Sequence, residues 1–215
     1  MAACTVQNVA ILGHSYIRRL GEFIQDNPDC TNMRLDRERF NICIRGVGGL
    51  RVQQLANSRE ILTFDTKQDI CFIQIGGNDL SNSKTPVHTI VEWIMSFAQF
   101  LIQGKEVKSV LIGQLLRRHP WKVGRSYNER VIQTNKLLHR ACTQRDDNIQ
   151  FWHHRGFWDP ELSFLGRDGV HIRYSKHDQK YMRKYMQSIR SAVLHASNKI
   201  SPSNGKLNQM SMIDV

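Results

Sequence analysis

The chain has 215 residues, and its 30 Lys and Arg against 19 Asp and Glu give it a formal net charge of +11. This length suits one domain, since domains run to about 100–200 residues. A 40% share of hydrophobic residues excludes a disordered chain, and no apolar run approaches the roughly 18 residues that a membrane-spanning helix needs. We therefore expect one globular domain without a transmembrane segment.

Short apolar runs recur along the chain, separated by segments of helical length. They are rich in β-branched and aromatic residues and bounded by Gly or Asp, which is typical of strands buried on both faces. The five predicted strands cover residues 9–12, 40–44, 70–75, 107–112 and 149–152.

Four longer segments carry apolar residues at the helical period, and they cover residues 16–25, 87–102, 126–142 and 176–194. Ser126 with Glu129 is a capping-box pair, so we expect Ser126 to be the N-cap of the third helix. Alternating strands and helices predict an α/β fold with a parallel sheet covered on both faces. The domain should span residues 1–197, and the polar residues 198–215 should form a disordered tail.

The cysteine pattern and the first residues of the chain bear on whether the protein is secreted or intracellular. Cys4, Cys30, Cys43, Cys71 and Cys142 form no CxxC pair, and the first residues lack a basic flank followed by a long apolar stretch. An odd, unpatterned set of cysteines favours free thiols over a disulfide framework or a zinc site. We therefore expect an intracellular protein, most simply a cytoplasmic one.

The positive charge lies entirely in the second half of the chain. Residues 1–107 carry 11 basic and 11 acidic side chains, whereas residues 108–215 carry 19 and 8. The excess could form a solvated basic face or could bind nucleic acid or an anionic surface. It is densest at Arg117-Arg118-His119 and over residues 176–184.

Polar or glycine-rich segments follow several of the predicted strands, where ligands bind in open α/β sheets. Ser15 follows the first strand, Gly46–Gly49 the second and Gly76–Asp79 the third, while Asp168–His171 precedes the last helix. Taken alone, each has an ordinary explanation as a cap or a turn. Together and in this order, they suggest one site.

These residue types suit acyl transfer. Ser15 becomes a nucleophile if His171 takes its proton, and Asp168 is near enough in sequence to orient the imidazole. The transition state needs donors for an oxyanion, and the Ser15 amide, a glycine amide of residues 46–49 and the Asn78 side chain are candidates.

The segments ILGHSYIRRL, IRGVGGLRV, IQIGGNDL and RDGVHI resemble the four motif blocks of the SGNH (GDSL-like) hydrolase superfamily. The resemblance covers residues 9–172 and implies a flavodoxin-like, three-layer α/β/α sandwich with about five parallel strands. It also implies an esterase that needs no metal or cofactor, with Ser15 as nucleophile, His171 as base and Asp168 as its partner. Ser15, Gly49 and Asn78 would form the oxyanion hole, with Gly48 as the alternative to Gly49.

The chain departs from this family at the first block, where His14 and Tyr16 replace the usual Asp and Leu. His14 could be a structural substitute for the Asp or a second titrating group. Gly-His-Ser variants loosely resemble esterase-like domains encoded by retrotransposons.

Two functions therefore compete: a serine esterase for a small-molecule, lipid or sugar ester, and a weak or inactive module that binds a polyanion through the basic half. His14, Arg45 and Arg51 are possible substrate-binding residues, although both arginines could equally be surface residues at a helix start. Four aromatic residues could line an acyl pocket or simply pack: Trp121, Trp152, Phe157 and Trp158. We expect His153 and His154 to be surface or loop residues rather than metal ligands.

Overall fold

The computed structural model describes residues 6–144 and 148–200. Its sheet has five strands, all parallel, in the order β2-β1-β3-β4-β5. This is the strand order of flavodoxin-like folds, in which the crevice beside the first strand forms the binding site. The strands are β1 (Gln7–Gly13), β2 (Phe40–Gly46), β3 (Ile70–Gln74), β4 (Ser109–Gly113) and β5 (Ile149–Trp152).

Helices connect the strands and cover both faces of the sheet. They are α1 (Ser15–Asp26), α2 (Val52–Asn57), α3 (Arg59–Leu62), α4 (Val87–Lys105), α5 (Pro120–Val123), α6 (Arg125–Thr143) and α7 (Lys180–Ile200), with a 3-10 segment at Pro28–Arg34. None of these helices is long and apolar enough to cross a membrane.

Alternate residues of the central strands feed two separate cores. Val9 and Ile11 of β1 pack on the side of α1 and α7, whereas Ala10 and Leu12 pack on the side of α2, α4 and α6. The central strands β1, β3 and β4 are buried on both faces because their side chains alternate across the pleat, whereas the edge strands β2 and β5 are only partly buried. The predicted three-layer α/β/α sandwich with five parallel strands is confirmed.

Several predicted boundaries differ from the structure. Helix α6 begins at Arg125, and its N-cap is Gly124 with a φ of 77°. Ser126 therefore lies inside the first turn, and the predicted capping box at this residue is wrong, because Gly124 can take the left-handed bend after α5 without strain. Helix α7 runs to Ile200, so residues 198–200 are helical and only residues 201–215 of the predicted tail lie outside the described residues.

Both histidines of the predicted surface or loop pair lie in the loop after β5, where His153 is exposed but His154 is buried. The His154 ring bonds Gln74 Oε1 at 2.9 Å through Nε2 and Ser188 Oγ at 2.8 Å through Nδ1. Its amide donates to Gln114 Oε1 at 3.0 Å. Burial lowers the pKa of His154 to about 3, so a neutral imidazole joins the sheet to α7.

Candidate active site

Ser15 lies at the junction of β1 and α1, at the carboxyl edge of the sheet. A Cβ on Gly13 would stand 2.3 Å from the carbonyl oxygen of Gln74, and one on Gly46 would stand 2.1 Å from the amide nitrogen of Arg18. Only glycine at these two positions lets the strands and α1 approach so closely. The Ser15 side chain, 8% exposed, is thereby held at the first turn of the helix.

His14 is the N-cap of α1. Its Nδ1 accepts a hydrogen bond from the Tyr16 amide at 3.4 Å, the role that a carboxylate oxygen usually performs at this position. Burial, followed by the positive charges of Arg118 and His171, lowers the pKa of His14 to about 3. His14 is therefore a neutral structural cap near pH 7, which favours the first of its two predicted roles.

Ser15, His171 and Asp168 form a continuous chain of hydrogen bonds. His171 Nε2 lies 2.9 Å from Ser15 Oγ, and His171 Nδ1 lies 2.7 Å from Asp168 Oδ2. The carboxylate also accepts the amides of Val170 at 3.0 Å and His171 at 2.9 Å through Oδ1. The predicted nucleophile, base and orienting residue thus meet, although 153 residues separate Ser15 from Asp168 in the sequence.

The charges in this chain of hydrogen bonds are those needed for proton transfer. Partial burial raises the pKa of Asp168, but hydrogen bonds from the amide and ring of His171 and the amide of Val170 outweigh it and bring the pKa to about 2. Burial lowers the pKa of His171 below its usual 6.5, although the Asp168 carboxylate partly offsets this. Near pH 7 the site therefore holds a carboxylate, a neutral imidazole and a serine hydroxyl.

Helix α1 also holds the loop that carries His171. Tyr16 Oη donates to the carbonyl oxygen of Val170 at 2.6 Å, and the Tyr16 ring meets His171 edge-on at 5.9 Å between centroids. Arg19 lies 3.7 Å from Asp168 Oδ2. The Tyr16 substitution thus adds a polar contact to the His171 loop that the usual leucine could not make.

The predicted oxyanion donors lie in Ser15 itself and in two segments at the same edge of the sheet. Ser15 is the first residue of α1, so its amide has no carbonyl partner within the helix. Asn78 Nδ2 donates one hydrogen to the Leu50 carbonyl at 3.0 Å, and the second hydrogen remains. The turn at Gly48 and Gly49 is exposed and is tied to the Ser15 segment by the Val47 amide, which donates to Gly13 at 3.1 Å.

Arg45 is bonded to the segment around α3. Its Nη1 donates to the carbonyls of Glu60, at 2.9 Å, and of Thr63 at the end of α3, and its guanidinium stacks on Phe64 at 5.0 Å. The role of Arg45 as a possible substrate-binding residue stays a prediction. Arg51 is exposed at the start of α2.

The four aromatic candidates for an acyl pocket lie in different surroundings in the structure. Phe157 is fully buried among core residues, Trp152 donates to Ser188 at 3.1 Å, and Trp158 stacks under Arg117 at 4.6 Å. Trp121 is 62% exposed, and its ring lies only 2.9 Å from the point where a Cβ on Gly169 would stand. Trp121 alone of the four lies beside the His171 loop.

The sequence pattern did not identify Arg118 as a site residue. Its guanidinium donates to Asn78 Oδ1 and Ser81 Oγ, each at 3.1 Å, and stacks on Tyr127 at 4.9 Å. The side chain is only 6% exposed, and it lowers the pKa of both His14 and His171. Two signals were available: the dense positive charge at Arg117-Arg118-His119, and the position of this segment after the fourth predicted strand, since such loops meet the carboxyl edge.

No group of His, Cys, Asp and Glu side chains in the described residues could hold a metal ion.

Comparison with known proteins places the chain in a family. A family model described as GDSL-like Lipase/Acylhydrolase matches residues 6–185. A search of curated proteins finds no match.

Solved structures with the same fold include several ester hydrolases. A GDSL-like lipase from Bacteroides thetaiotaomicron has a TM-score of 0.63 at 16% identity, covering 88% of this chain and 89% of the lipase. A carbohydrate esterase family 3 protein from Talaromyces cellulolyticus has a TM-score of 0.63 at 15% identity, covering 91% and 100%. Axe2, an acetylxylan esterase from Geobacillus stearothermophilus, has a TM-score of 0.60 at 13% identity, covering 90% and 96%. At these identities the likeness shows the fold.

Proposed function

Because the chain belongs to the GDSL-like lipase/acylhydrolase family, we propose that it hydrolyses carboxylic esters with Ser15 as nucleophile, His171 as general base and Asp168 as the partner of His171. The observation that carries this proposal is the unbroken chain of hydrogen bonds from Ser15 Oγ through the His171 ring to Asp168. Both distances lie within the range expected of a nucleophile and its base.

In the first half-reaction, Ser15 Oγ attacks the ester carbonyl carbon while its proton passes to His171 Nε2. Asp168 accepts a hydrogen bond from the Nδ1–H group of His171, so that Nε2 is the nitrogen that can take the proton. The Asp168 carboxylate also stabilises the imidazolium that forms. The tetrahedral intermediate collapses, the C–O bond to the alcohol breaks, and His171 returns the proton to the leaving alkoxide. An acyl group then remains on Ser15.

In the second half-reaction, a water molecule gives its proton to His171 and attacks the acyl carbonyl carbon. Collapse of this second tetrahedral intermediate releases the carboxylic acid and restores the Ser15 hydroxyl. The partial exposure of the His171 side chain, 21%, is consistent with access of that water.

The developing oxyanion needs fixed hydrogen-bond donors, each of which contributes about 3–4 kcal/mol in comparable hydrolases. The Ser15 amide, the free hydrogen of Asn78 Nδ2 and an amide of the Gly48–Gly49 turn are the proposed donors. Arg118 supports this arrangement, since its bond to Asn78 Oδ1 turns the Nδ2 group of Asn78 away from the guanidinium.

The competing hypothesis, a polyanion-binding module, has less support. Two basic side chains of the second half pair with acidic side chains of the first half: Arg183 with Asp29 and Lys108 with Asp69, each at 2.8 Å. Arg118 is buried. The charge excess therefore overstates the basic surface, and no contact favours nucleic acid over another anion.

The test is hydrolysis of p-nitrophenyl acetate by the wild type and by Ser15→Ala, since an acetylxylan esterase is among the structural neighbours. Loss of a serine nucleophile costs up to about 10⁶-fold in kcat, so the variant should fall to the background rate. Ser188→Ala is the matched control, because Ser188 also bonds a histidine ring, at 2.8 Å, but lies on α7. Equal rates for the wild type and Ser15→Ala would overturn the proposal.

A further inference from the structure

A cavity of about 480 Å³ has Val170, the residue before His171, in its wall, and its charge is one-sided. Arg118, Lys122 and Arg130 line it together with the hydroxyl-bearing residues Ser81, Ser83 and Ser126. None of the described residues that line it is acidic. We call it the basic cavity.

The basic cavity adjoins the site on two sides. Val170, which lies in its wall, is the residue whose carbonyl accepts the Tyr16 hydroxyl and whose neighbour is His171. On the other side, a Cβ on Gly77 would stand 3.4 Å from His14 Nε2 and 3.2 Å from Arg118 Nη2. Arg118 thus faces the same point as the residue that caps the Ser15 helix.

Arg118 is a buried cation without a counterion. Its side chain is 6% exposed, its Nε is buried without a hydrogen-bond partner, and no ion pair in the described ranges includes it. Buried charges in proteins are normally paired, because removing a charge from water is costly. An anion bound from outside would supply the missing charge.

The position of Arg118 is fixed before any ligand arrives. Asn128 binds its backbone on both sides: the Arg118 amide donates to Asn128 Oδ1 at 3.0 Å, and Asn128 Nδ2 donates to the Arg118 carbonyl at 2.8 Å. Stacking on Tyr127 at 4.9 Å and the contacts to Asn78 and Ser81 fix the guanidinium. A preorganised cation of this kind binds an anion without an ordering cost.

The other two cations complete the cavity from different elements. Arg130 donates to the carbonyls of Leu80 at 2.8 Å and Asn82 at 2.9 Å, so it holds the loop that carries Ser81 and Ser83 while leaving its positive charge uncompensated. Lys122 is exposed at the mouth, on α5. A long, mobile ammonium at the rim suits capture of an anion that then reaches the guanidinium.

We propose that the basic cavity selects esters that carry a second, anionic group, a carboxylate or a phosphate, on the part of the substrate that lies next to Ser15. This inference rests on the proposed function, since it names the substrate class of the same site. Arg118 is the anchor for the anion and Lys122 the rim contact. Neutral esters would be hydrolysed, but with a lower kcat/KM.

The experiment compares esters of equal length with and without a terminal carboxylate: the mono-p-nitrophenyl esters of glutaric and adipic acid against p-nitrophenyl valerate and hexanoate. The wild type should prefer the anionic ester by about tenfold or more in kcat/KM at low salt, and the preference should shrink as salt screens the charges. Lys122→Gln should reduce this preference several-fold and Arg118→Gln should abolish it. Lys136→Gln, an exposed lysine outside the cavity, is the control.

The inference would be overturned if the wild-type ratio of kcat/KM, anionic ester over neutral ester, were one or below. It would also be overturned if Lys122→Gln and Arg118→Gln left this ratio unchanged. If Arg118→Gln fails to fold, Lys122→Gln and the salt series still decide.

Binding is measured separately by titrating phosphate and glutarate into Ser15→Ala, which cannot turn over. Tighter phosphate than glutarate binding assigns a phosphate, and the reverse assigns a carboxylate. If the wild type hydrolyses neither ester, the proposed function is overturned. Anion binding to Ser15→Ala that weakens several-fold in the Ser15→Ala/Lys122→Gln double variant would still establish the cavity as an anion site.

Discussion

Two histidines of this protein bond a serine hydroxyl at nearly the same distance, yet their surroundings differ in every other respect. His171 Nε2 lies 2.9 Å from Ser15 Oγ, and His154 Nδ1 lies 2.8 Å from Ser188 Oγ. The first pair lies at the carboxyl edge of the sheet, whereas the second lies between the sheet and α7. A short serine–histidine distance is therefore no mark of a nucleophile on its own.

The second nitrogen of each ring makes the difference. His171 donates through Nδ1 to the Asp168 carboxylate, which stabilises an imidazolium, whereas His154 bonds the neutral amide oxygen of Gln74. His154 is also 1% exposed, and burial holds its pKa at about 3, so it cannot serve as a base near pH 7. The comparison separates the proposed reactive pair from a structural one by charge and access.

The largest expected effect that tests this difference comes from Asp168→Asn. An amide at this position can hold the wrong tautomer of His171 and cannot stabilise the imidazolium, so kcat should fall by about 10³–10⁴-fold, as for the corresponding change in serine proteases. The measurement is kcat for p-nitrophenyl acetate, with the urea midpoint as a control for folding. A loss smaller than tenfold would mean that the carboxylate does not distinguish the two histidines.

The next prediction concerns the buried pair of His154 and Ser188, where we expect a loss of stability rather than of activity. His154→Leu leaves Gln74 Oε1 and one Ser188 contact without a partner, and orphaned buried groups cost about 1–3 kcal/mol each, so the free energy of unfolding should fall by about 2–4 kcal/mol. Urea denaturation measures it, with His153→Leu as the exposed control, expected within about 0.5 kcal/mol of the wild type. Stability unchanged in His154→Leu would show that the buried network adds nothing.

The smallest effect per residue is the pH dependence of stability that each buried histidine imposes. His14 and His154 have pKa values of about 3 in the folded protein, below the usual 6.5. As the pH falls below 6.5 the unfolded chain takes up protons that the folded one does not, so stability is lost progressively between pH 6.5 and 3. Linkage puts the loss at about 2 kcal/mol per histidine at pH 5.

Urea titrations at pH 7 and pH 5 measure this loss. In His154→Leu the difference between the two pH values should be smaller than in the wild type by that histidine's share. An identical pH difference in both proteins would contradict the neutral, buried state of His154.

The fold and the meeting of the four motif segments could be foreseen from the sequence. Strands buried on both faces produce continuous apolar runs, and parallel strands place the segments that follow them at one edge, so Ser15 and Asn78 were foreseeable neighbours. Their catalytic roles remain predictions until Ser15→Ala and Asp168→Asn are measured.

Two residues show what could not be predicted from the sequence pattern. Arg45 was one candidate for substrate binding because it adjoins the glycine turn, and the structure bonds it to the carbonyls at the end of α3. His154 was expected to be a surface or loop residue; it lies in a loop, but Gln74 and Ser188 enclose it. In both cases partners distant in the sequence decided the outcome.

Local pattern in the amino-acid sequence was sufficient for the α/β/α architecture, the strand positions and the order of the motif segments, because burial periodicity and glycine turns are properties of adjacent residues. The tertiary structure alone decided that Arg118 lies buried beside His14 and His171 without a counterion, and that His154 is structural. Charge and burial depend on which distant segments pack together, since the free energy of a charged group depends on its solvent and its partners rather than on its neighbours in the chain.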